Sequence, residues 1–192
     1  MIIGLTGGYG SGKDVVAEYF VSKGFKHISL SDFIRKECDS DSLKITRTNM
    51  IKEGNKLRKQ FGNWILGKMA SDMIDAKKDY VVTSIRNPGE VKILKKYKNF
   101  VLVNVVAPSE IRFERVLKRN RGDENYSSLN EFLEQENKEL KSKNKDSQQL
   151  SEVFSMANIV LENKYKHKKE LHKVLDKMHK DLILKEEIKK NK

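Results

Sequence analysis

The 192-residue sequence predicts an α/β fold in three layers, with helices on both sides of a central, mainly parallel sheet. Three observations predict it. Short apolar runs recur at 2–6, 26–30, 79–85, 100–106 and 158–162; helical patterns lie between them; and the first run passes through a glycine cluster straight into a helix. Strands alternating with helices pair in parallel, and such a sheet presents its ligand site at the carboxyl ends of its strands. At 38% apolar residues the chain can bury a core as one unit spanning 1–192. No stretch reaches the roughly 18–20 uncharged apolar residues of a membrane helix. MIIGLTGG lacks a basic leader and reads as a first strand, so a cytoplasmic protein is expected. The one cysteine, Cys38, excludes an internal disulfide and a cysteine-based zinc site, and reads as a buried thiol.

Element by element, IIGLT at 2–6 is the first strand and 13–22 the helix behind the glycine loop. KHISL at 26–30 is a second strand, with Ser31 and Asp32 as caps of a short helix through Cys38. Thr46 to about Asp75 reads as two helices broken near Gly62 and Asn63, with Met50, Leu57, Trp64, Ile65, Leu66 and Met69 facing inward. DYVVTSI is a buried strand, Asn87 and Pro88 open a helix to about Tyr97, and FVLVNVV is the clearest strand of all. Pro108 starts a helix containing RFERVLKR. Residues 120–150 are polar and helical in pattern, NIVLE at 158–162 is one more strand, and a Lys-rich helix closes the chain. On that helix Leu171, Val174, Leu175, Met178 and Leu182 form a stripe that covers the sheet, and KEEIKKNK is expected to fray.

Gly7-Gly8-Tyr9-Gly10-Ser11-Gly12-Lys13-Asp14 fits the phosphate-loop pattern G-x-x-x-x-G-K, between a strand and a helix as that pattern requires. Glycines allow successive backbone amides to turn toward phosphate oxygens, the new helix directs its positive end there, and Lys13 reaches the outer phosphates. Gly8, Gly10, Ser11, Gly12, Lys13 and Asp14 are therefore the expected nucleotide contacts. Asp14 stands where Ser or Thr usually holds magnesium. An anion there holds the metal directly or through water, although its charge opposes phosphate.

GLTGGYGSGK resembles the opening of dephospho-CoA kinase, and its GKD variant the phosphate loop of phage-type deoxynucleoside monophosphate kinases. SLSDFIRKE, TRTNMIKEGNKLRKQFG, SIRNPGEV and VVAPSEIRFERVLKR resemble nucleoside monophosphate kinase-like P-loop proteins of archaea and bacteria, and NIVLEN is similar to the final strand and base-contact loop of that superfamily. The resemblance implies a three-layer P-loop NTPase of nucleotide-kinase type, with ATP and Mg2+. It makes 39–75 a helical acceptor-binding segment and 119–150 a helical lid. Asp32, after the second strand, becomes either the base for an acceptor hydroxyl or an organiser of metal water and acceptor, a role compatible with capping a helix that begins at Phe33. Arg35 lies one turn further on. Arg47 and Arg58 become phosphate or base contacts, Arg86 the clamp on the acceptor phosphate, and Arg112, Arg115 and Arg119, with Arg121 beyond, the stem of a lid that closes on the donor. Those kinases often carry an acid at the end of the strand before Arg86. Thr83 and Ser84 stand here, leaving Asp14 and Asp32 as the metal candidates.

Residue counts support anion recognition. All eight Arg lie between positions 35 and 121, whereas the 31 Lys are spread throughout, and a guanidinium fork grips phosphate oxygens in pairs. Arg47 and Arg58, eleven residues apart, return to one helix face within ~20°, and a mid-helix Gly54 on that face fits a closely approaching acceptor. The formal charge of +12 also raises nucleic acid as a partner, but residues 1–100 carry +8 and 101–192 carry +4, with no basic arm, zinc-finger spacing or aromatic RNA-binding signature. The expected activity is transfer of the γ-phosphoryl of ATP to a small phosphate-bearing acceptor, a nucleoside or deoxynucleoside monophosphate. Dephospho-CoA kinase is the near alternative and a nucleic-acid-binding or regulatory NTPase the distant one. The charges of 119–150 leave little to bury, so the lid is expected to stand open without nucleotide.

Overall fold

The protein is described here by a computed structural model that covers residues 1–119, 126–140, 148–165 and 167–190. Five strands, β1 (Ile2–Thr6), β2 (Lys26–Ser29), β3 (Tyr80–Thr83), β4 (Phe100–Val106) and β5 (Ile159–Glu162), form one sheet in the order β2-β3-β1-β4-β5, with every pairing parallel. β1 is central, and the register Ile2 to Tyr80 and Ile2 to Phe100 brings the ends of β1 and β3 to one edge of the sheet.

Alternation along the strands divides the core into two layers. Ile2, Ile28, Val82 and Leu102 pack beneath α2 (Leu30–Ser40), α3 (Arg47–Phe61), α4 (Ile65–Met73) and α5 (Pro88–Leu94). Ile3, Leu5, Val81, Val103 and Val105 pack beneath α1 (Lys13–Ser22) and α9 (Lys168–Lys190). The expected stripe on α9 is buried here, with Leu171, Leu175 and Leu182 inside and Val174 and Met178 against them. The helix itself continues through Lys190, well into the stretch expected to fray. α6 (Ser109–Arg119), α7 (Leu129–Leu140) and α8 (Leu150–Ser155) complete the chain.

Four readings change. β2 ends at Ser29, and the chain turns helical at Leu30 because that side chain is fully buried on the α2 side; Ser29 is the N-cap, and Asp32 lies in the first turn of α2 rather than capping it. Met50, Ile65 and Met69 pack against the core and Leu57 and Leu66 lie within it, but Trp64 is 44% exposed because its indole folds back over Gly62. The lid segment buries more than its charges imply. Phe132 of α7 is 1% exposed, packed among Tyr9, Phe113 and Tyr126, so α7 is docked against the glycine loop and α6. Gly54 makes room for protein, since a Cβ there would meet Ile34 Cδ1 at 3.0 Å and Arg58 Nη1 at 3.3 Å.

Two glycines set the contact of α4 with α5. A Cβ on Gly67 would lie 2.8 Å from Glu90 Cα and O, and one on Gly89 2.7 Å from the Asn63 carbonyl. Neither neighbour is a side chain that can swing aside. Gly67→Ala is therefore expected to force the two helices apart and lower stability by about 1–3 kcal/mol despite the better helix propensity of alanine. Urea denaturation measures this, and an alanine variant as stable as the parent would show that the helices part without cost.

Candidate functional site

The loop Gly7 to Gly12 joins β1 to α1, with Gly10 (φ 74°) and Gly12 (φ 93°) in the left-handed region. A side chain at Gly12 would strike Asn163 Nδ2 at 2.3 Å, and one at Gly10 the Arg112 carbonyl oxygen at 2.5 Å. These close approaches bring donors onto the loop's carbonyls. Lys13 Nζ donates to Gly7 O and Gly8 O at 2.8 Å each; Arg112 Nη1 donates to Tyr9 O at 3.1 Å; Arg115 Nη1 reaches Gly10 O at 3.5 Å and Ser11 O at 3.3 Å; and Asn163 Nδ2 donates to Ser11 O at 2.8 Å. These bonds fix the loop's backbone, with the Ser11 N–H given to Gly8 O at 3.3 Å, around a glycine-lined concavity of the kind that suits an anion.

That concavity opens into a cleft of about 970 Å³ at the carboxyl edge of the sheet. It brings together Gly10, Gly12, Lys13, Asp14, Asp32, Arg35, Arg47, Arg58, Arg86, Arg115 and Arg119 along its walls. Gly8 and Ser11 serve the loop from behind: Gly8 faces the Glu136 carboxylate and Arg112, and Ser11 is fully buried. Arg121 lies outside the described residues.

Each arginine has a definite setting. Arg86 is half-buried, its Nη1 on Gln148 Oε1 at 3.2 Å, and its backbone is held on both sides by Glu90 Oε2, accepting from its N–H at 2.7 Å, and by the Gln149 N–H, donating to its carbonyl at 2.9 Å. Arg47 stacks on Tyr9 at 4.2 Å and bonds the Tyr126 hydroxyl, while Arg119 covers the same ring at 4.9 Å. Arg115 Nη2 also reaches the carbonyls of Asn163 and Tyr165, joining the loop to the segment after β5. Arg112 departs from the expected lid role, because its guanidinium pairs with Glu136 of α7 and supports the loop from outside the cleft. Arg58 departs from the expected acceptor contact. It is 2% exposed, and Nε and Nη2 are both spent on Glu90 Oε1, at 3.2 and 2.8 Å. Asp32 and Arg35 pair with each other at the cleft wall, both side chains largely exposed.

Several site residues escaped the sequence reading. Ser29, Ser31 and Ser84 form a hydroxyl cluster where the ends of β2 and β3 meet, with Ser84 in the left-handed region at φ 62°. His27 Nε2 bonds Thr83 Oγ1 at 2.9 Å beside them. No motif marks such a cluster, because sheet order alone brings it together. Glu90 was legible, since Asn87 followed three residues later by Glu is a capping-box signature, and the box is present. Gln148 and Glu136 come from a polar stretch whose contacts no spacing rule reveals.

Electrostatically Lys13 lies among other cations. The Lys13 ammonium is pushed down to about 7, chiefly by burial and then by Arg86, with Arg119 and Arg112 adding to the effect and Asp14 opposing it. The positive charges gathered here repel one another, and a phosphate would relieve them. Burial also pushes the Cys38 thiol up, which leaves it an inert core group. Among the described residues no three His, Cys, Asp or Glu come together to hold a metal. Magnesium bound with a nucleotide needs only one or two carboxylates beside phosphate oxygens and water, and Asp14, exposed at the cleft in the first turn of α1, fits that requirement. Asp32 fits it less well, being engaged by Arg35.

Comparison with known proteins agrees with this geometry. Residues 3–141 match the family described as an AAA domain. The UPF0200 protein of Thermococcus kodakarensis is 29% identical over 93% of this chain and 98% of its own length, and that of Pyrococcus horikoshii 31% identical over 85% and 88%. Among solved structures, shikimate kinase from Bacteroides thetaiotaomicron superposes with a TM-score of 0.60 at 12% identity, over 95% of this chain and 98% of that one, a likeness of fold. No helix among the described residues is long and apolar enough to cross a membrane. With a P-loop kinase-like fold, an AAA-domain match over most of its length and full-length relatives of this similarity, the chain belongs to the UPF0200 protein family.

Proposed function

We propose that the protein is an ATP-dependent phosphotransferase that moves the γ-phosphoryl to a small phosphate-bearing acceptor, a nucleoside or deoxynucleoside monophosphate. The observation that carries this reading is one cleft of about 970 Å³ that gathers Lys13 of the glycine loop with Arg47, Arg86 and Arg119, cations enough for the phosphates of a donor and an acceptor. The loop amides and Lys13 bind and orient the donor phosphates. Arg86, with its forked guanidinium on a backbone fixed from both sides, orients the acceptor phosphate. Arg115 keeps the loop and the segment after β5 in one arrangement, and Arg119 faces the cleft at the lid stem. Magnesium bound with the nucleotide supplies further neutralisation of the phosphate oxygens, with Asp14 as the residue to hold it.

A phosphate-bearing acceptor is favoured over a hydroxyl acceptor by the state of Asp32. An attacking hydroxyl needs a base, whereas a phosphate oxygen is already anionic, and Asp32 is tied to Arg35. The solved shikimate kinases of the same fold make shikimate, together with dephospho-CoA, a necessary control among acceptors. Steady transfer to polynucleotide-free nucleoside monophosphates in an ADP-release assay is the expected result. ATP turnover that responds only to polynucleotide would replace this reading with a nucleic-acid-dependent NTPase.

Lys13→Ala should abolish transfer while leaving the unfolding temperature near that of the parent, and undiminished turnover would remove the loop from the mechanism. Arg86→Lys keeps the charge and loses the fork, so transfer should fall at least tenfold, ~1.4 kcal/mol, with ATP affinity unchanged. Arg115→Lys should weaken ATP binding as well, because it loosens the loop carbonyls. Calorimetry beside steady-state kinetics separates the two patterns, and loss of ATP binding in the Arg86 variant alone would reverse the assignment.

Proton linkage follows from Lys13, held near 7 in the free protein. Phosphate favours the charged ammonium, so above about pH 7 donor binding should take up a proton, and affinity should fall as pH rises. The sign for folding is opposite to that of a stabilising pair: burial disfavours the folded state fully below pH 7, and this cost fades as pH rises toward the ordinary 10.5. Binding enthalpies at pH 8 in two buffers of different ionisation enthalpy measure the uptake. It should vanish in Lys13→Arg, and equal uptake in both proteins would place the proton elsewhere.

A further inference from the structure

Glu90 is 0% exposed and ionically paired, yet it belongs to no part of the cleft described above. Its two oxygens have separate duties. Oε2 accepts from the backbone N–H of Arg86 at 2.7 Å and of Asn87 at 3.0 Å, whereas Oε1 accepts from Nε and Nη2 of Arg58 on α3. Capping α5 requires only the first pair. A charge this deep is weak evidence for stability, because an apolar pair of similar volume is commonly as stable. The arrangement is better explained by what it joins: the peptide that launches the Arg86 side chain, and the helix that forms the far wall of the acceptor side.

We propose that Glu90 is the positioning residue for Arg86, fixing the peptide from which that guanidinium enters the cleft and tying it through Arg58 to the helix that flanks the acceptor. Arg86 leaves β3 just after Ser84, in the left-handed region, and Ile85, whose carbonyl accepts from Thr6 Oγ1 at 3.0 Å. The Glu90 oxygen is thus the next restraint along the chain, and the Gln149 N–H on the Arg86 carbonyl is the one after it. Without the carboxylate the Arg86 amide loses its buried acceptor, the peptide can rotate, and the fork no longer meets the phosphate in both places. A misplacement of about 1 Å, remote from the reacting atoms, is enough to cost ~100-fold in rate. The proposal rests on the phosphotransfer reading for what Arg86 grips, but the placement of Arg86 can be measured without any transfer.

Two double variants of the full chain test it. Arg58→Met with Glu90→Met replaces the ion pair by apolar groups and leaves the loop amides without an acceptor. Arg58→Met with Glu90→Gln removes the demand of Arg58 and frees the glutamine oxygen for those amides. Each is examined for unfolding temperature, ATP affinity, acceptor kinetics with nucleoside monophosphates, and inorganic phosphate binding followed at the Arg86 Nε–H resonance. The methionine pair should fold, keep ATP affinity, and lose about tenfold or more in acceptor kcat/KM and in phosphate affinity at Arg86, while the glutamine pair recovers most of both. A folded methionine pair with parental acceptor kinetics and phosphate affinity overturns the proposal, as does a glutamine pair no better than the methionine pair. Failure of both to fold overturns it too, because Glu90 would then be a stability residue. If the parent protein transfers to no acceptor but the phosphate titrations show this pattern, positioning by Glu90 stands and the phosphotransfer reading falls. A parent whose Arg86 resonance ignores phosphate removes the proposal as well.

Discussion

The hold on the carbonyls of the glycine loop is the constraint on which the cleft depends. Donors from α1, α6 and the end of β5 each take a carbonyl between Gly7 and Ser11, and they can do so only because Gly10 and Gly12 carry no Cβ. The loop's backbone is thereby fixed by folding itself, in the shape that borders the cleft.

The same arrangement accounts for the electrostatic tension of the cleft. Lys13 is buried against the carbonyls of its own loop near three guanidiniums, and burial first, then the charge of Arg86, makes it easier to deprotonate. Arg47 and Arg119 both lie over the Tyr9 ring, so part of their charge is met by an aromatic side chain. Tyr9 also touches Phe132, and the Arg112–Glu136 pair reinforces that contact from behind the loop. The docked α7 is therefore held by the glycine loop itself, which explains why a segment so rich in charge packs against the body of the protein.

Around Arg86 the organising group is the fully buried Glu90 carboxylate. The close approach of α4 to α5 at Gly67 places Glu90, and Glu90 in turn unites Arg58 with the Arg86 peptide. Arg58 illustrates how an arginine can be near a binding site for reasons of architecture. Its position on the same helix face as Arg47 is real, but the neighbour across that face is a buried anion rather than solvent or substrate.

Sequence by itself determined the elements and the loop. Apolar runs, glycine spacing and the Asn87-Pro88 start locate the strands and helices because these depend on neighbours within a few residues, and β4 at 100–106 agrees to the residue. Lys13, Arg86 and the arginine stem were legible for the same reason, since a strand end and a helical repeat place them. Tertiary structure alone decided which charges are spent on the protein. Glu90 and Arg58 are 32 residues apart, Arg112 and Glu136 are 24 apart, and Arg86 meets Gln148 across 62. The order β2-β3-β1-β4-β5, which also assembles the serine cluster from β2, α2 and the loop after β3, has no local signature. A guanidinium carries the same charge wherever it stands in the sequence; whether it faces a buried carboxylate, a carbonyl or an open cleft is fixed by long-range packing, because only packing determines which desolvated partner lies within hydrogen-bond reach.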